Sequence, residues 1–119
     1  MDRKAPTIQE LRKQLGSEYS ICTIDWEQCI YRDFGNGFNV EVSGANSRRK
    51  GKKVALYLWH GTEPLNCMIV RTVHNVERSA EAISKAVEEL KAYTDTLILR
   101  GYNNRDAIFH MLHPKSRRN

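Results

Sequence analysis

Five basic side chains fall within six residues, Arg48-Arg49-Lys50-Gly51-Lys52-Lys53, and three more, Lys115, Arg117 and Arg118, follow Pro114. Cations at this density can lie along a phosphate backbone, where each contact releases condensed counterions and makes binding salt-sensitive. Gly51 gives such a loop freedom to adapt its path. The formal net charge is +5, yet the chain without these eight residues has 11 basic against 14 acidic side chains. Positive charge is therefore concentrated on one loop and one tail of a mildly acidic body. A short basic run also suits a merely solvated loop, but the contrast with the body favours recognition.

Tyr57 and Trp59 are the second candidates. Two residues apart in an apolar stretch, they share one face of a strand, with Arg71 or Thr72 of the following strand beside them. On an uncovered sheet such rings stack on unpaired bases. Under a helix or the N-terminal segment they would be core, the commoner fate of large aromatics and the expectation here.

Metal chemistry has thinner support. His110 and His113 are three apart, and His60 precedes Cys67 by seven, but no tight pair of the Cys-x2-Cys kind occurs. Asp25, Glu27 and Asp33 are near one another, and Asp25 and Glu27 share a face if that stretch is extended. Strand-end carboxylates are usually solvated, and Asp33 is well placed to brace a turn. No Gly-x-Ser-x-Gly, phosphate-binding glycine loop or His-Glu-x-x-His is present. The expectation is a non-enzymatic protein without metal or cofactor.

The elements that must hold these residues follow from periodicity. Thr7 and Glu10 form a capping box that starts a short helix, with Ile8, Leu11 and Leu15 on one side and Gly16 as its stop. Strands are expected at residues 29–34 and 38–42, joined by Gly35-Asn36-Gly37, whose Asn-Gly pair suits a type I′ turn. Residues 20–25 add a weaker strand candidate. A polar loop carries the basic cluster into residues 54–59, apolar on both faces and hence central, and residues 67–74 form the last strand. Ser79 caps a long helix with a stripe of Ala82, Ile83, Ala86, Val87, Leu90, Tyr93 and Leu97. Asn104 caps a short helix over residues 105–112 that Pro114 ends.

The fold class is α+β, in the order α-β-β-β-β-α-α: an antiparallel sheet of three to five strands with the long amphipathic helix across the Val54, Leu56 and Leu58 face. With 119 residues, 40% hydrophobic and 28% charged, there is material for one core. A single domain over 1–119 is expected, with 1–6 and 114–119 as tails. No apolar run approaches the ~20 residues of a membrane span, and the charged, proline-broken start does not read as a secretory signal. Three cysteines, Cys22, Cys29 and Cys67, read as thiols in a reducing cytoplasm, with a Cys22–Cys29 bridge as the alternative. A strand edge over residues 38–42 offers sheet extension to a homodimer; otherwise the chain is a monomer.

In outline the α-β-β-β-α core resembles the double-stranded-RNA-binding domain. That family places a lysine-rich motif at the start of its last helix, where this chain has Glu77-Arg78-Ser79-Ala80-Glu81, net negative. The resemblance therefore implies a topology and no activity. Two functional readings follow. The first is a nucleic-acid-binding protein using Arg48, Arg49, Lys50, Lys52 and Lys53, helped by Lys115, Arg117 and Arg118. The second is a protein-binding regulator or inhibitor, such as a phage or mobile element would encode, engaging a partner through Glu81, Glu88 and Glu89 or a sheet edge.

Overall fold

Thr7 opens the first helix, α1 (Ile8–Leu15), as a complete capping box: its side chain accepts from the Glu10 N–H, and Glu10 accepts from the Thr7 N–H at 2.7 Å. In this computed structural model, which describes residues 5–63 and 66–114, Gly16 ends α1 at φ 121. Five strands follow: β1 (Ser20–Ile24), β2 (Glu27–Asp33), β3 (Phe38–Ser43), β4 (Lys53–His60) and β5 (Met68–Glu77). They form one antiparallel sheet in the order β1-β2-β3-β4-β5. Ser79 then caps α2 (Ala80–Leu99), and Asn104 caps α3 (Arg105–Leu112), each side chain accepting from a backbone N–H three residues on.

The sheet has five strands because residues 20–24 pair fully with β2, from Ser20 opposite Tyr31 to Ile24 opposite Glu27. The strand at 38–42 is not an edge, since β3 is paired with β2 and β4 on its two sides. Sheet extension through it is excluded; the edges are β1 and β5. The hairpin between β2 and β3 also closes differently from the expected type I′ turn at Asn36-Gly37. Phe34 N–H donates to the Phe38 carbonyl across a four-residue connection, with Gly35 and Gly37 at positive φ and Asn36 not. Asn36 instead uses its side chain, accepting from Phe38 N–H and donating to the buried Thr94. Asp33 braces the turn by accepting from Gly35 N–H at 2.8 Å.

One face of the sheet is the core. Ile30, Phe38, Val40, Val42, Val54, Leu56 and Leu58 are buried there against Ile83, Val87, Leu90 and Leu97 of α2, Ile8 and Leu11 of α1, and Ile108 of α3. Alternation along each strand sends the intervening residues to the opposite face. Tyr57 and Trp59 are on that second face, with Tyr31, Asn39 and Glu41. None of the described helices contributes a residue to the hollows there. The expectation that the short C-terminal helix covers these rings is thus corrected: α1, α2 and α3 all pack into the other side.

Candidate functional site

Two regions of opposite character emerge, and β3 and β4 build both. The first is the connection between them. Gly44, at φ 91, turns the chain out of β3, and its N–H donates to Glu27 Oε2 at 2.7 Å. Ala45 is wholly buried, and its carbonyl accepts from Nε and Nη2 of Arg78 at 2.9 and 2.6 Å. Arg48 reaches back to the Ala5 carbonyl, with its Nε at 2.9 Å. The tip is a tight turn, Lys52 N–H donating to the Arg49 carbonyl at 3.0 Å, and Gly51 sits at φ 78 in the position that demands glycine. Gly51 therefore fixes the loop rather than loosening it.

These ties gather Arg48, Arg49, Lys50, Lys52, Lys53 and Arg78 around a cleft of about 310 Å³, with Glu77 as the carboxylate among them. Arg49, Lys50 and Lys53 are exposed. Arg78 was not among the residues singled out from sequence. It arrives because Lys53 at the start of β4 pairs with Glu77 at the end of β5. Burial, and secondarily the nearby Arg48 charge, holds its guanidinium below the ordinary range. Its Nη1 is buried and meets no acceptor among the described residues. The other predicted cations, Lys115, Arg117 and Arg118, lie outside the described residues.

The second region is the sheet face that none of the described helices covers. Glu41 lies at its centre, only 7% exposed, with Tyr31 beside it on β2 and Tyr57 on β4 in one cross-strand row. Trp59 Nε1 donates to Glu41 Oε1 at 3.0 Å, and the Cys29 thiol points at Oε2 at 3.6 Å. Two hollows adjoin at this carboxylate. One of about 520 Å³ is bounded by Cys22, Ile24, Tyr31, Trp59 and Cys67 among others. The other, about 320 Å³, is bounded by Ile24, Asp25, Glu27, Tyr57 and Ile69 together with the shared Glu41 and Trp59. Among the described residues, neither is lined by a lysine, arginine or histidine.

The thiols register the local field. Cys29 is pushed up to about 12 by burial, then by the Glu41 and Glu27 carboxylates, and Cys22 is raised by burial and by Glu41. The two face each other across β1 and β2, both as thiols. At the rim the β1–β2 turn holds Asp25 and Trp26 at φ 52 and 68, and Trp26 is 99% exposed. Two successive positive φ values normally select Asn-Gly, so this is the two-residue turn of the sheet, made from residues poorly suited to it. Asp25 thus sits in this turn rather than in an extended stretch, while Glu27 accepts from Gly44 N–H and Ser43 Oγ.

The remaining candidates do not converge. Arg71 lies over the Tyr93 ring on the helix side, 4.6 Å from its centroid, and Thr72 is the β5 residue opposite Tyr57. His110 and His113 are exposed on and just after α3, whereas His60 packs edge-on against Phe38. Among the described residues no group of three His, Cys, Asp or Glu could hold a metal ion. On the outer face of α2, Glu88 is engaged by Arg32 at 2.8 Å. No helix of the described residues is long and apolar enough to cross a membrane. Comparison with protein-family models, curated proteins and solved structures finds no match, so the geometry carries the functional argument alone.

Proposed function

We propose that the protein is a non-enzymatic nucleic-acid-binding protein that grips the phosphate backbone in the basic cleft of the β3–β4 loop. The observation that carries this reading is the convergence of Arg78 with the five loop cations on one cleft. Like charges held this close repel one another, and a phosphate among them turns that repulsion into attraction.

The division of labour is set by what each cation already holds. Arg48 and Arg78 shape the loop through the carbonyls of Ala5 and Ala45, while Arg49, Lys50, Lys52 and Lys53 carry the contact to the ligand. Phosphate contacts position a nucleic acid without reading its bases, so binding is weakly sequence-specific. Tyr57 and Trp59 take no part, because the carboxylates of Glu27 and Glu41 beside them oppose a phosphate chain.

Fluorescence anisotropy with short single- and double-stranded DNA and RNA at several salt concentrations tests this. With Arg49, Lys50, Lys52 and Lys53 each neutralising one phosphate, log affinity for duplex DNA falls against log salt with a slope of about −3.6. Changing those four to serine abolishes binding if the reading holds. Binding that survives in the variant, or no binding at low salt, contradicts it.

A further inference from the structure

The sheet face opposite the helices is a poor surface for a polyanion and a good one for a cation. Its central carboxylate, Glu41, is nearly buried, and aromatic side chains surround it: Tyr31 and Tyr57 in its row, Trp59 through the indole N–H. Among the described residues that single bond leaves Oε1 a second lone pair, and Oε2 meets only a weak thiol donor. The hollows beside it are walled by Ile24, Trp59, Cys22 and Ile69. An apolar stem ending in a positive group fits both features at once, the stem along the walls and the head at the carboxylate and ring faces.

The rim indicates what presents that group. Trp26 is 99% exposed on a turn whose Asp25 and Trp26 both sit at positive φ, and Ile69 is 42% exposed on the far side. Strained backbone supporting a fully exposed indole is found where a surface meets a partner, and tryptophan is prominent among residues that anchor protein interfaces. We infer that this face docks a segment of a partner protein by receiving one of its lysine or arginine side chains against Glu41, with Trp26 gripping the flanking residues. The site is independent of the basic cleft and of whether that cleft binds nucleic acid.

The test is a two-dimensional NMR titration of the full chain with pentapeptides of alanine and leucine whose central residue is lysine, arginine, norleucine or glutamate. The lysine and arginine peptides should shift the Trp59 indole N–H and the amides of Ile24 and Ile69, binding at least about tenfold tighter than the norleucine peptide. Glu41→Gln, which can still accept from Trp59, should erase that preference. Trp26→Ser, at a site without packing to lose, should weaken all peptides and serves as the folded control should Glu41→Gln not fold. Equal binding of the norleucine or glutamate peptide overturns the proposal. So does binding of n-butylammonium alone with no peptide bound, which would make this a small-amine site.

Discussion

The basic cleft and the aromatic face share β3 and β4, yet they differ in how each holds its charge. In the cleft, cations are numerous, mostly solvated and spread along a loop whose backbone is fixed by two arginines. On the face, one carboxylate is nearly buried and is held by a tryptophan and a thiol. Many exposed charges give long-range, salt-screened attraction of a polymer. One desolvated charge gives short-range selection of a complementary group. The same sheet thus carries one region of many exposed cations and another centred on a nearly buried carboxylate.

Replacing Arg49, Lys50, Lys52 and Lys53 with serine separates the two regions most strongly. Nucleic-acid affinity at low salt should fall by more than about a hundredfold, while the shift of the Trp59 indole N–H by a lysine peptide stays as it was. Glu41→Gln should do the reverse, costing about tenfold in lysine-peptide affinity and leaving the oligonucleotide titration unchanged.

Glu27 links the regions, since it lines the face and fixes the first residues of the loop through Gly44 N–H and Ser43 Oγ. Glu27→Ala leaves a part-buried N–H without its acceptor and should lower stability in urea by about 1–3 kcal/mol. It should also weaken oligonucleotide binding by loosening the loop.

The smallest effect expected is a pH dependence unrelated to either ligand. Burial holds the His60 imidazole below its ordinary range, partly opposed by a bond to the Asn103 backbone. The unfolded chain then binds that proton more readily. The contribution is complete above the unfolded value near about 6.5 and declines as pH falls through it toward the folded pKa. Urea midpoints between pH 8 and 5 should drop, and His60→Phe should flatten that drop.

Much of this architecture is legible in local patterns. Thr7 and Glu10, Ser79, and Asn104 each announce a helix start through side chains acting within one turn, and all three do so. Strand alternation at residues 38–42 gives the two faces of β3. What needs the fold is whatever depends on pairing register. Glu41 comes to lie between Tyr31 and Tyr57 only through its cross-strand row. Arg78 joins the basic loop only because Lys53 opposes Glu77, 24 positions along. The Asp25-Trp26 turn was hidden for the opposite reason: local propensity argues against positive φ at an aspartate followed by a tryptophan, and pairing of Ile24 with Glu27 imposes it.

The separation of the two regions is tested most directly by mapping amide and indole shifts while a short oligonucleotide is titrated at low salt and then displaced with added salt. Shifts are expected at residues 48–53 and at Arg78 that vanish at high salt, with the Trp59 indole N–H unmoved. Shifts centred on Tyr57 and Trp59 would contradict it, because the nucleic acid would then be held by the acidic face that this account reserves for a cation.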